Sequence, residues 1–330
     1  MVDIARLAGV HVSTVSRALA GSPLVERGVR DRILEIASRH GYVVNRAARS
    51  LRTSRTQTLS VVIPLAHERG QALTDPFFTA MLGHLADEIT RRGYGMHLEK
   101  ILPPMDDWLV DLIAARRSDG IIVIGQSTEH AVLERVAATF KPLVVWGGHI
   151  ARQSYCVVGT DNVAGARMAT EHLLASGRRR IVFVGDPSIP EIRLRCDGYK
   201  QALERAPRGG SAARVIKAHM TPEAAHDAVR RFLESGAKID AVFAATDVIA
   251  ISSMRAIAAA GLSVPSNVAV AGFDDIAMAA HVHPTLTTVR QDLARGANLL
   301  VDLVLRRAAG EDARSVVLPG ALVVRESSGG

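Results

Sequence analysis

Residues 2–20, Val-Asp-Ile-Ala-Arg-Leu-Ala-Gly-Val-His-Val-Ser-Thr-Val-Ser-Arg-Ala-Leu-Ala, constrain the fold more than any other stretch of this chain. Gly9 breaks them into two short helices. Ile4, Ala5 and Ala8 share one apolar face of the first, Val10 bridges the turn, and Val15, Ala18 and Leu19 share an apolar face of the second. Ser13, Thr14, Ser16 and Arg17 stay outside. This is the pattern of a helix-turn-helix, whose second helix can lie in the major groove of DNA. Periodicity alone also fits an ordinary helical hairpin, so charge has to separate the two. Residues 1–58 hold ten Arg, no Lys and four acids (Asp3, Glu26, Asp31, Glu35), which places six of the seven net positive charges there. A basic head on a nearly neutral body points to a polyanionic partner for the head only.

The length of 330 residues suits about two domains with ample core. Hydrophobic residues at 48% and charged residues at 22% fit a globular protein in water. No apolar run is long enough to span a bilayer, and Asp3 and Arg6 interrupt what would be the apolar centre of a signal peptide. Two cysteines, Cys156 and Cys196, make no disulfide framework and read as small buried side chains. These features lead us to expect a cytoplasmic protein with no membrane partner.

A third helix is expected over 30–40, ended by Gly41. Residues 45–52 are helix-permissive and 53–58 are polar and linker-like, so the domain boundary is placed there. Beyond it, apolar runs at 59–64, 120–125, 143–146, 156–159, 181–185, 241–245 and 268–272 alternate with helical patterns. The latter lie near 77–92, 107–116, 130–140, 165–176, 195–204, 222–235 and 248–260. This alternation predicts a parallel, doubly wound α/β sheet, and the uniformly apolar strands suit sheets covered on both faces. The length fits two similar lobes with a cleft between them.

Assembled in order, the motifs resemble the LacI/GalR family of bacterial transcription regulators over essentially the whole chain. The head carries Asp3-Ile-Ala-Arg-Leu-Ala-Gly-Val-His-Val-Ser-Thr-Val-Ser-Arg-Ala-Leu19, followed by Gly41-Tyr-Val-Val-Asn-Arg-Ala-Ala-Arg-Ser-Leu51. The body carries Asp75-Pro-Phe-Phe78, Thr160-Asp-Asn162, Arg195-Cys-Asp-Gly-Tyr199, Gly272-Phe-Asp-Asp275, the run 284–291 and the run 318–326. Four departures stand out. His11 replaces the family's usual Ser, Val44 replaces a Pro and loosens entry to the next helix, and Thr246 stands where sugar-binding members often carry Asn. The chain also begins without the Thr that normally caps the first helix, so the true start is expected upstream.

The resemblance implies an all-α helix-turn-helix head and a two-lobed, periplasmic-binding-protein-like α/β core of parallel doubly wound sheets. Residues 1–44 are expected to bind DNA and 45–58 to form a hinge helix and linker. Residues 59–330 would form the effector-binding and dimerisation core, with lobes at 59–160 plus 290–317 and 161–289 plus 318–330. In the head it implies that Val12, Ser13 and Arg17 face the major groove. There Arg17 reads guanine or clamps a phosphate, while Thr14 and Ser16 position the backbone. In the family the hinge segment folds into a helix on operator DNA and a leucine wedges into the minor groove. Leu51 occupies that place, with Asn45, Ala48 and Arg49 beside it, and the alternative is a linker leucine packed on the body.

In the body, ligands of such sheets lie beyond the carboxyl ends of the strands. The effector candidates are Phe77, Phe78, Gln126, Trp146, Arg195, Thr246 and Asp274. Gln126 and Trp146 are equally explained by packing. Arg195 and Asp274 are suited to gripping neighbouring hydroxyls, and a neutral or acidic carbohydrate is the expected effector. Asp161 and Asp247 read as helix caps, and His281 and His283 as surface residues. No catalytic residue, metal site or cofactor is expected. The expected function is a transcriptional regulator, a repressor, that binds pseudo-palindromic operator DNA as a homodimer through helices near 77–92, 107–116 and 248–260. Two alternatives differ in class. A sugar receptor of a transport system would have no use for a basic head. For an enzyme on an α/β scaffold the residues offer no positive sign: no G-x-S-x-G, P-loop, G-x-G-x-x-G or H-E-x-x-H occurs.

Overall fold

The computed structural model describes residues 1–19, 21–42, 55–65, 70–102, 107–206 and 212–329. The chain divides into two compact units, Met1–Thr56 and Gln57–Gly330.

The first unit contains helices α1 (Val2–Ala8), α2 (Val12–Leu19) and α3 (Arg27–Arg39). Gly9 ends α1 in the left-handed conformation at φ 63°, which a residue without a Cβ adopts at little cost. No side chain caps the start of α1. Ile4, Ala5, Ala8, Val15, Ala18, Val25 and Ile33 close a small core of their own. Helix α3 starts three residues earlier than its apolar pattern suggests. Gly28, a poor helix former, obscures its first turn, while Arg30 N–H reaches Glu26 O at 2.9 Å.

The second unit holds two six-stranded sheets. The first lobe contains β1 (Thr58–Pro64), α4 (Pro76–Arg91), β2 (Gly95–Ile101), α5 (Trp108–Ala114), β3 (Gly120–Ile124), α6 (His130–Ala137), β4 (Leu143–Trp146) and β5 (Cys156–Thr160). The second contains α7 (Asn162–Ala175), β6 (Ile181–Val184), α8 (Pro190–Glu204), β7 (Arg214–Ile216), α9 (Pro222–Glu234), β8 (Ala241–Ala244), α10 (Asp247–Ala259), β9 (Ala269–Asp274) and β10 (Thr287–Arg290). The chain then returns to the first lobe with α11 (Leu293–Ala308) and β11 (Val316–Leu318), and ends in the second with β12 (Ala321–Val323). The strand orders are β11-β5-β4-β3-β1-β2 and β12-β10-β9-β8-β6-β7. Every pairing is parallel except β10 with β12. Strands β3, β4, β6 and β8 are apolar on both faces. In the first lobe, Leu59, Val61 and Ile63 of β1 face α4 and α11, while Val62 joins the cluster of α5 and α6.

Among the described residues of the core, strands β2, β7, β10, β11 and β12 and helix α11 go beyond the sequence-derived set. Strand β2 alternates in burial because it is a sheet edge, so it lacks the apolar run of the inner strands. Helix α11 follows the crossover and packs Ala297, Leu300, Val301 and Val304 onto the first lobe.

Candidate functional site

In the head, α2 buries Val15 and Ala18 and turns the opposite side outward. Ser13 and Arg17 are four residues apart, one turn along the helix. Ser13 and Arg17 are exposed, Thr14 and Ser16 are half-buried on the same helix, and Val12 leans on the head's core. His11 stands just before α2 and turns its ring onto the helix's first turn. Its Nδ1 accepts the Ser13 backbone N–H at 3.3 Å and lies 2.8 Å from Ser13 Oγ. Not every head arginine is left for DNA. Arg32 donates to Ala8 O at 2.7 Å, bracing α3 against the end of α1, and Arg30 donates to Ser22 O and Val25 O. Asn45, Ala48, Arg49 and Leu51 lie outside the described residues.

In the second unit, a cavity lies between the lobes at the carboxyl ends of β1, β3, β4 and β9. Phe77, Phe78, Trp146, Arg195, Thr246 and Asp274 line it. Phe77 and Phe78 meet edge to face, 5.6 Å between ring centres, on the first turn of α4. Asp75 caps that helix by accepting from Phe77 N–H at 2.9 Å, and Pro76 supplies a residue pre-set for the first turn.

Arg195 is fixed from three sides. Its Nε donates to Asn162 Oδ1 at 2.8 Å, and Nη1 donates to Ala245 O at 2.6 Å and Asp274 Oδ1 at 3.4 Å. The guanidinium also lies 3.8 Å over the centre of the Phe273 ring. Asp274 ends β9 at φ 123° and accepts from Gln291 Nε2 at 2.8 Å. Burial pushes the Asp274 carboxyl up to about 7, against the pull of Arg195. Asp247, beneath it, is also held high by burial and by Asp274.

Gln126 does not belong to this lining. Its side chain is fully buried, donating to Gly148 O and Tyr155 Oη at 2.8 Å and accepting from Gly148 N at 2.9 Å. It ties the loop after β4 to the body, because a buried amide must satisfy its polar atoms locally. Asp247 is not the cap of α10. Thr246 Oγ1 accepts from Ile249 N–H and does that work, so Thr246 both caps α10 and lines the cavity. Asp161 does cap α7, through Ala164 N–H at 2.9 Å.

Two acidic lining residues lie outside the sequence-derived set. Asp75 sits in the Asp75–Phe78 marker and lines the cavity as well as capping α4. Glu191 stands four residues before Arg195, one turn along the same helix face, and that spacing was the available signal. Its Oε1 accepts the Gln126 backbone N–H at 2.8 Å. Burial pushes the carboxyls of Asp75 and Glu191 upward too.

A helix-turn-helix unit in the same chain as a two-lobed cleft with fixed polar groups defines a DNA-binding protein that a small molecule can govern. The chain belongs to the lacI family of bacterial regulatory proteins, and is a transcription regulator. Residues 1–45 match that family and residues 170–328 match the periplasmic binding protein-like domain. The HTH-type transcriptional regulator CelR of Thermobifida fusca is 31% identical over 98% of this chain and 96% of its own length. The ribose operon repressor of Haemophilus influenzae is 28% identical over 99% and 98%. Among solved structures, a lac repressor dimer bound to operator and the anti-inducer ONPF superposes with a TM-score of 0.86 at 23% identity, over 99% of this chain and 98% of that one. A CelR–cellobiose complex superposes with a TM-score of 0.74 at 28% identity, over 98% of both chains. Among the described residues no helix is long and apolar enough to cross a membrane.

Proposed function

We propose that the protein is a cytoplasmic, homodimeric repressor whose operator affinity is set by a carbohydrate held in the cleft. The observation that carries this reading is the Arg195–Asp274 pair at the cavity wall, flanked by Phe77 and Trp146. A charged donor and a carboxylate grip adjacent hydroxyls, while aromatic faces cover the apolar face of a sugar ring. The CelR–cellobiose complex makes cellobiose the first probe. A ligand that binds the folded state raises the melting temperature by mass action. Cellobiose or another neutral sugar is expected to do so and to change operator affinity in a mobility-shift assay. A carbohydrate panel without any such effect overturns the reading.

Asp274 gives this site a pH signature. Its carboxyl is raised in the free protein, and a ligand hydroxyl donating to it favours the ionised form. The complex therefore binds fewer protons than the free protein, and affinity rises as pH passes upward through about 7. Asp274→Asn should flatten that rise and weaken binding by roughly ten- to hundredfold, the loss of one charge-assisted hydrogen bond. Calorimetry on either side of neutral pH measures both, and wild-type affinity and slope in the variant would remove Asp274 from the site.

On the DNA side, Val12, Ser13 and Arg17 are assigned to base edges and Thr14 and Ser16 to phosphates, with the dimer presenting two heads to a pseudo-palindrome. Asn45, Ala48, Arg49 and Leu51 are assigned to the hinge, with Leu51 as the minor-groove wedge. Leu51→Ala keeps a good helix former but removes the wedge. Operator affinity should fall by well over tenfold, while non-specific binding keeps its salt slope and the free protein keeps its melting temperature. A lower melting temperature with unchanged operator affinity would instead mark Leu51 as a packed linker residue.

A further inference from the structure

We propose that the cleft admits an uncharged polyhydroxyl ligand and rejects its anionic derivatives, and that Glu191 sets this discrimination. The inference rests on the carbohydrate reading and narrows it. Three carboxylates line the cavity, Asp75, Glu191 and Asp274, and Arg195 is the one Lys or Arg side chain among the described lining residues. Arg195 is partly committed, through Nε to Asn162 and through Nη1 to Ala245 and Asp274, which leaves Nη2 as its donor to a ligand. It balances one carboxylate and leaves two facing the ligand.

None of the three can easily turn away. Asp75 is held by Phe77 N–H and by Gln71 Nε2 at 3.3 Å. Asp274 is held by Arg195 and Gln291. Glu191 belongs to α8 of the second lobe, yet its Oε1 holds the Gln126 amide of the first lobe. Rotating it out of the cavity breaks a hydrogen bond that joins the two lobes. Burial raises all three carboxyls, so the discrimination holds, and is measured, at a pH high enough to ionise them; an ionised carboxylate accepts hydrogen bonds and cannot donate them. A sugar hydroxyl supplies a donor to each. A phosphate or uronate group brings another acceptor-only anion into a confined space of low dielectric, where like charges repel far more strongly than in water. The acidic carbohydrate allowed by the sequence is thereby disfavoured.

The experiment pairs neutral sugars with their own anionic forms: cellobiose with cellobionate, glucose with glucose 6-phosphate and glucuronate, ribose with ribose 5-phosphate. Each is titrated calorimetrically into the full-length protein and into Glu191→Gln. Gln keeps a carbonyl oxygen for the Gln126 N–H and removes the charge. In the wild type, any neutral sugar that binds should do so at least about a hundredfold more tightly than its anionic partner, the scale set by like charges in a confined site. In Glu191→Gln that ratio should shrink by about tenfold. An anionic form binding as tightly as its parent overturns the inference while leaving the carbohydrate reading intact. An unchanged ratio in a variant that melts like wild type overturns the role of Glu191. Failure of every sugar, neutral or anionic, overturns the carbohydrate reading and this inference with it.

Discussion

A protein beginning at Gln57 is expected to fold, to bind the effector with full-length affinity, and to lose operator binding altogether. The two units have separate cores: Ile4, Val15 and Ile33 close the first without help from the second, and the sheets of the second are covered by their own helices. Removing residues 1–56 therefore opens no apolar surface within either sheet. It does remove six of the seven net positive charges, leaving +1 on the remainder. Phosphate neutralisation supplies most non-specific affinity and a large share of specific affinity, and its loss flattens the salt dependence of whatever binding is left. Mobility shift at two salt concentrations, with calorimetry for the effector, measures both halves. Operator binding by residues 57–330 at full-length strength would place the DNA-reading surface elsewhere.

Gly198→Ala is expected to damage the core strongly although it adds a single methyl. Gly198 sits where α8 crosses α7, and a Cβ there would lie 2.2 Å from Val163 O, 2.9 Å from Ala166 Cβ and 3.0 Å from Arg167 N. Two of these are backbone atoms of the facing helix, so no side chain can swing aside to make room. The helices must separate. Overpacking of this kind costs about 3 kcal/mol, or roughly 8 °C in melting temperature for a unit of this size. The functional loss should exceed the stability loss. Arg195 stands one turn before Gly198, and its 2.8 Å bond to Asn162 spans the same α7–α8 junction. Effector affinity should therefore fall even at temperatures where the variant is folded. A variant with wild-type melting temperature and effector affinity would show that the crossing has room to relax.

Much of the architecture is legible because its signals are local. Gly9 between two apolar faces, the arginine surplus of residues 1–58, and inner strands such as the apolar run Leu143–Trp146 of β4 each carry their meaning within a short span of chain. What escaped did so for identifiable reasons. Strand β2 hides because, at a sheet edge, it alternates between half-buried and exposed residues and buries only Ile101 fully. Helix α3 hides its first turn behind Gly28. Arg30 and Arg32 look like any other head arginine, and only their acceptors, Ser22 O, Val25 O and Ala8 O, reveal them as struts.

The cleft divides in the same way. Arg195 and Asp274 could be named from the sequence because their motifs are compact, and both line the cavity. Gln126 could not be separated from them, because a polar residue after a strand looks the same whether it faces ligand or a buried carbonyl. By itself the sequence determined the helix-turn-helix, the alternation of strand and helix, the basic head and the residues at the ends of β1, β4 and β9. Periodicity, turn chemistry and net charge are properties of neighbouring residues. Only the tertiary structure decided that Gln126 is sealed against Gly148 and Tyr155, that Asp247 reaches Ile276 N–H and leaves the capping of α10 to Thr246, and that Glu191 from one lobe meets the Gln126 amide of the other. Those outcomes depend on which atoms, 22 to 65 residues apart in the chain, arrive within hydrogen-bonding distance, and no local pattern encodes that distance.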